Sequence, residues 1–250
     1  MIDSAGAASA VFVAGIAAGT INTIVGSGTL VTFPTLLALG VPPVTANVSN
    51  TLGLVPGSAS GAWGYRRELT GQLRRFLWLA PATTLGGILG ALLLFALPSS
   101  AFKAIVPVLI GIGVLLVIVG PSVNRRLAAR GTHEGQHRWL WPAMFGNGVY
   151  GGYFGAAQGV IMMALFTVGI DDDLQRLNAL KNVLSALVNT VAAVVFLFSG
   201  HMDWRVAGLL AAGSLIGGQI GATVGRRLPP TVLRAVIVAV GVTAIISFAR

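Results

Sequence analysis

The chain contains no cysteine, which removes disulfides, thiolate metal sites and cysteine nucleophiles together. Charge is nearly as scarce. Only 9% of the 250 residues are Asp, Glu, Lys or Arg, against about 25% in a soluble globular domain, too few to cover the surface of a water-soluble globule. Disorder is excluded for the opposite reason, because 55% of the residues are apolar and the mean hydropathy is +0.84. Acid is scarcest of all: 7 Asp and Glu stand against 16 Lys and Arg, a net charge of +9. In a soluble protein that excess would point to nucleic acid. Here the basic residues gather between apolar runs, as Arg66/Arg67/Arg74/Arg75, Arg125/Arg126/Arg130/Arg138 and Arg226/Arg227/Arg234. That is the pattern of cytoplasmic loops under the positive-inside rule. The chain therefore reads as an all-α polytopic membrane protein whose partner is the lipid bilayer, not nucleic acid.

The first fifteen residues lack the basic region of a cleaved signal peptide, and no Lys or Arg precedes Arg66, so the first segment is disposed to start outside. Runs of spanning length, about 20 apolar residues, lie near Val44–Gly64, Leu73–Leu97, Ala101–Gly120, Leu174–Ser199, Trp204–Gly225 and Val232–Phe248. Two other stretches are too long. Ala7–Gly40 has 34 residues and Trp139–Gly169 has 31; as straight helices they would run roughly 45–50 Å against a core of about 30 Å. Glycine interrupts both, at Gly26-Ser27-Gly28 and at Gly151-Gly152 with Gly155. They read as broken or re-entrant helices, which survive at membrane depth only inside protein or against a wet cavity. Trp63, Trp139, Trp141 and Trp204 sit at segment ends, as an interfacial belt would place them.

The chain also repeats itself. At a spacing of 129, Gly19, Gly26, Val31, Leu36 and Gly40 match Gly148, Gly155, Val160, Leu165 and Gly169. After a two-residue insertion the spacing is 131: Asn47 matches Asn178, Arg74 matches Arg205, Gly86-Gly87 matches Gly217-Gly218, and Gly90-Ala91 matches Gly221-Ala222. Two four-segment repeats follow, residues 1–120 and 139–250, joined by a cytoplasmic linker loop, Pro121–Arg138. The basic residues vote on their relation. If each long stretch re-enters without crossing, Lys and Arg divide 13 to 3 between the two sides; if each crosses, they divide 10 to 6. The first division is favoured. It gives three crossings per repeat, hence inverted repeats, an arrangement in which broken helices meet near the midplane of a carrier.

Polar residues inside the apolar segments are the candidates for function. After the first long stretch, Asn47, Asn50, Thr51 and Ser58 share one helical face; after the second, Asn178, Lys181, Asn182, Ser185 and Asn189 do. Such a stripe faces a wet cavity or the partner repeat, or supplies interhelical hydrogen bonds. Lys181 has no acid at nearby helical spacing, so it either binds an anion or snorkels to the interface. The breaks offer the other half of a site. Ser27-Gly28-Thr29 and Ala156-Ala157-Gln158 would open half-helices whose free N–H groups attract anions, unless the small residues serve only close packing.

Other features are weaker. Asp171-Asp172-Asp173 either caps a helix or holds a hard cation, and His133 and His137 lie in the central loop. No Ser/His/Asp set sits in an apolar segment and no phosphate loop is present, so no enzyme is expected. Nor does any Asp or Glu fall inside an apolar run, which argues against a carboxylate proton relay.

The run Gly19-Thr-Ile-Asn-Thr-Ile-Val-Gly-Ser-Gly-Thr-Leu-Val-Thr-Phe-Pro34, then Leu-Gly-Val-Pro-Pro and Ala46-Asn47, resembles the TauE/SafE family. The similar half from Gly148 extends the likeness over nearly the whole chain, although the second copy has Ala156-Ala157-Gln158 and no proline. The resemblance implies a bacterial inner-membrane exporter or permease for sulfite, organosulfonates or related small anions, with no cofactor. A passive anion channel and a metal-ion carrier using Asp171–Asp173 are the alternatives, and a homo-oligomer is compatible with the sequence.

Overall fold

The computed structural model describes residues 4–128 and 138–224, together with 235, 238 and 239. Nine helices fill the two continuous stretches: α1 (Ala5–Ile24), α2 (Thr29–Ala38), α3 (Pro43–Gly64), α4 (Leu73–Ala96), α5 (Ser99–Ala128), α6 (Leu140–Tyr153), α7 (Gln158–Gly169), α8 (Leu174–Leu197) and α9 (Trp204–Thr223). No strand occurs among the described residues. Among the described residues five helices are long and apolar enough to cross a membrane: α1, α4, α8, α9 and the Ser100–Gly120 part of α5. Leucines along α4 and α5 are exposed on their outer faces, among them Leu85, Leu92 and Leu115, as lipid contact requires. The expected span in α3 has the length, 22 residues, but is not apolar enough to count with those five. Its polar face, including Asn47, Ser49, Asn50 and Ser58, is buried in the bundle, where a bilayer tolerates it.

Both long stretches break where the glycines lie. Gly26 (φ 87°) and Gly155 (φ 73°) occupy the left-handed region, open to glycine at no steric cost. The chain then reverses. A methyl group on Gly28 would stand 2.5 Å from the carbonyl of Ala18, ten residues back, where a straight helix would hold them about 15 Å apart. Likewise Gly169, at the end of α7, packs on Leu140 at the start of α6. The α1–α2 and α6–α7 stretches are hairpins, and α1 alone has 20 residues, longer than a half-membrane segment needs.

Cross-links fix directions. Arg75 on α4 pairs with Asp172 before α8, and Gln72 Nε2 donates to the Arg176 carbonyl at 2.9 Å. At the other end the Asp203 N–H donates to Ser49 Oγ at 2.9 Å. The end of α3 thus lies by the start of α8, and the end of α8 by the start of α3. The two helices run antiparallel. Glycines allow the helices around them to touch backbone to backbone: Gly19 against Ser214 and Gly218, Gly217 against Ile16 and Thr20. The repeat-related positions make the same contacts, Gly148 against Thr83 and Gly87, and Gly86 against Phe145 and Val149.

Two expectations need amendment. The linker Pro121–Arg138 is not a loop from its start, because α5 continues to Ala128. The change from apolar to basic residues at 121 ends the hydrophobic run, while Arg125–Ala128 are good helix formers. The Val232–Phe248 segment and His133 and His137 lie outside the described residues, apart from 235, 238 and 239, of which all three are helical. Trp63 and Trp204 are 67% and 65% exposed at helix ends, so neither packs inside the bundle. Trp141 instead stacks on Phe145.

Candidate functional site

The polar stripes of α3 and α8 face the hairpins: α8 meets the end of α1, while α3 meets both the α1–α2 hairpin and the end of α6. A helix leaves its last four carbonyls without partners, and buried carbonyls must be satisfied. On α1 that task falls to α8. Asn178 Nδ2 and Asn182 Nδ2 each donate to the Thr23 carbonyl at 3.2 Å, and Lys181 Nζ donates to the carbonyls of Asn22 and Thr23 at 3.1 Å each. On α6 it falls to α3, where Asn47 Nδ2 donates to the Tyr153 carbonyl at 2.9 Å. Asn47 and Asn178 are repeat mates performing the same service.

Lys181 is fully buried, so it does not snorkel. Its ammonium lies on the negative end of the α1 dipole, which favours a cation, and two of its three N–H donors are used there. The sequence alternatives, a bound anion or the interface, did not include this one.

The tips touch. The Gly159 N–H donates to the Gly26 carbonyl at 3.0 Å, and a methyl on Gly159 would come within 2.5 Å of Gly26 Cα. The half-helices are therefore joined rather than held apart. Gly28 and Ala157 contribute backbone: Gly28 precedes α2, and Ala157 (φ 59°) is the one described residue other than glycine in the left-handed region. Asn50 braces the α2 start, donating to Thr29 Oγ1 at 3.2 Å and accepting from Thr32 Oγ1 at 2.5 Å. Thr51 is not drawn into this network; its hydroxyl donates back to the Asn47 carbonyl at 2.9 Å. Ser58 Oγ accepts from Asn22 Nδ2 at 3.0 Å and from its repeat mate Asn189 at 3.5 Å.

Several polar atoms around this junction are buried without a partner: Ser27 Oγ, Gln158 Nε2, Thr23 Oγ1, and the Oδ1 atoms of Asn47 and Asn178. Native interiors pair nearly all such atoms, so a cluster of them marks a place for water or a polar ligand. Ser27 and Gln158 flank the Gly26–Gly159 contact in sequence, and the Gln158 amide lies over Gly151. The unused donors, with the third N–H of Lys181, suit an anion. Sequence reasoning missed Asn22 and Thr23, together with Asn147, whose buried amide has both polar atoms unpaired. Asn22, a polar residue one turn before a glycine break, was findable; Thr23 acts mainly through its carbonyl and left no such mark.

The acidic triplet is engaged otherwise. Asp172 pairs with Arg75 and with Arg176, whose Nε is 2.8 Å away, and accepts from the Asp173 N–H at 2.8 Å. Burial pushes the Asp172 carboxyl up, but hydrogen bonds from Arg75 and Asp173, with the charges of Arg75 and Arg176, outweigh it and hold the carboxyl below its usual range. Asp173 caps α8 by accepting from the Gln175 N–H at 2.8 Å. Among the described residues no cluster of three metal-ligating side chains is present.

The sequence model of the family described as "Sulfite exporter TauE/SafE" matches residues 11–248. A probable membrane transporter protein of a Sinorhizobium species, ORF9, is 29% identical over 237 residues, covering 92% of this chain and 88% of its own. One from Haemophilus influenzae is 28% identical over 233 residues, covering 91% and 88%. The probable membrane transporter protein YfcA of Escherichia coli K12 is 26% identical over 217 residues, covering 84% and 77%. No solved structure matches the chain at comparable significance. Spanned from end to end by the family's pattern, and built of helices long enough to cross a bilayer, the chain belongs to the TauE/SafE sulfite exporter family and is a multi-pass membrane transporter, not an enzyme.

Proposed function

We propose that this transporter is a secondary carrier that exports a small sulfur-containing anion, sulfite or an organosulfonate, across a bacterial inner membrane by alternating access between two inverted repeats. The observation that carries the reading is the group of buried, unpartnered donors beside the hairpin junction, next to a buried lysine that no carboxylate among the described residues neutralises. An anion seated beside the junction would take the Ser27 hydroxyl, the Gln158 amide and the remaining Lys181 N–H. Asn47, Asn50, Asn178 and Asn182 would hold the half-helices around it. The antiparallel course of α3 and α8 supports inversion, and the charge division supports a cytoplasmic position for residues 121–138. A carrier is favoured over a channel because the Gly26–Gly159 contact closes the centre, where conduction needs a continuous path. The negative-inside potential, worth about 2.3 kcal/mol per charge per 100 mV, would drive anion exit.

The test is thermal unfolding of the purified protein with sulfite, sulfate, thiosulfate, sulfoacetate, taurine and simple carboxylates. One of the sulfur anions should stabilise saturably. Lys181→Ala should weaken its binding by about 1–3 kcal/mol. Ser27→Ala and Gln158→Leu remove groups with no internal partner, so they should weaken binding while leaving the unliganded protein at least as stable. If no anion stabilises the protein, or if these variants bind as well as the parent, the reading fails.

A further inference from the structure

The end of α1 has the chemistry of a cation site. Half-helix C-termini and freed carbonyls coordinate sodium in carriers with broken helices, and here the Asn22 and Thr23 carbonyls converge on one point. Two more oxygens close by, Thr23 Oγ1 and Asn178 Oδ1, are buried and unpartnered. The Asn178 and Asn182 amides now offer nitrogen to the Thr23 carbonyl, and a half-turn of either would offer oxygen instead. The point is occupied by the Lys181 ammonium. Among the described residues no Asp or Glu of another element answers it: α1, α2, α3, α6 and α7 carry no Asp, Glu, Lys or Arg, and Arg75 of α4 is bound to Asp172. On α8 itself the nearest is Arg176, which is bound to Asp172. The other repeat has no such arrangement. Its repeat mate of Lys181 is Asn50, and the α6 end is finished by the neutral amide of Asn47.

We propose that the α1 C-terminus is a monovalent-cation site whose resident ion is the tethered ammonium of Lys181, standing where a free sodium ion would otherwise be needed. The second clause rests on the carrier reading; the site itself does not. A carrier with a built-in cation has no use for dissolved sodium, and removing the tether exposes the cradle to ions from solution.

The experiment is thermal unfolding of the purified protein in sodium, lithium or choline chloride at equal ionic strength, or with n-propylammonium, without any substrate anion. The parent should unfold at the same temperature in all of them. Lys181→Ala should be stabilised, saturably, by sodium or lithium and by n-propylammonium relative to choline. Lys181→Met, whose side chain still fills the cradle, should not respond. The proposal is overturned if folded Lys181→Ala is indifferent to the cation, if the parent responds as strongly, or if Lys181→Ala stays unfolded in every salt while Lys181→Met folds. Because no substrate anion is present, these outcomes are independent of whether sulfur anions stabilise the parent.

Discussion

Alanine at Gly26 should cost more than alanine at any other glycine break, for two separable reasons. At φ 87° a β-carbon is strained by about 1–2 kcal/mol. Its methyl would also run into Gly159 Cα, rigid backbone that cannot swing aside, and overpacking of that kind costs about 1–3 kcal/mol. The protein contains the control for each contribution. Gly40 has φ 80°, but nothing lies within 4 Å of an added methyl, so Gly40→Ala reports strain alone. Gly159 lies in the first turn of α7 without a left-handed backbone, and its methyl would be 2.5 Å from Gly26 Cα, so Gly159→Ala reports the collision alone. The loss at Gly26 should approach the sum of the two, roughly 2–5 kcal/mol. Thermal unfolding in detergent, where each kcal/mol moves the midpoint of a chain this size by about 2–4 °C, resolves the order. Flux in proteoliposomes of whichever sulfur anion stabilises the parent should persist in Gly40→Ala and fall in both tip variants. If Gly26→Ala is no less stable than Gly40→Ala and still transports, the tips are not packed together in the membrane and the reasoning is wrong.

Asp172→Asn should destabilise the protein by an amount that is constant from pH 5 to 8. Its carboxyl is held low in the folded state, so its contribution is complete above the unfolded value of about 3.9 and disappears as pH falls through the folded value; a gap that closes near neutrality would contradict the assignment. Single cysteines in the cysteine-free chain, for example His133→Cys, should react only from the cytoplasmic side, and labelling from outside intact cells would overturn the topology. Flux of a permanently ionised sulfonate should follow the membrane potential and ignore a pH gradient at zero potential; concentration by the pH gradient alone would call for a proton relay, with Asp203 the first residue to mutate.

The hairpins were legible because glycine within an apolar run is conspicuous and a 34-residue stretch does not fit the bilayer. The polar stripes were legible because Asn47 and Asn178 recur on equivalent faces. What each stripe holds was not, because the acceptors are the carbonyls of Asn22, Thr23 and Tyr153, and every residue carries a carbonyl. Lys181 showed the same gap: the sequence displays a cation without an acid, and the answering dipole belongs to a distant helix end. Ala157 adopts a conformation that its side chain gives no reason to expect. The linker was misjudged at its first residues because hydropathy marks where a helix leaves the lipid, not where it stops.

The mutual finishing of helix ends has a consequence in time. The groups that complete α1 follow Thr23 by 155 to 159 residues, so a ribosome adding about 5–20 residues per second delivers them about 8–32 seconds after Thr23 itself. For that interval the newborn hairpin carries bare carbonyls, which hydrocarbon penalises heavily, and it must wait where water or the insertion machinery can serve them. The first half of the molecule is therefore inserted on credit, and it acquires its final shape only when the second half arrives.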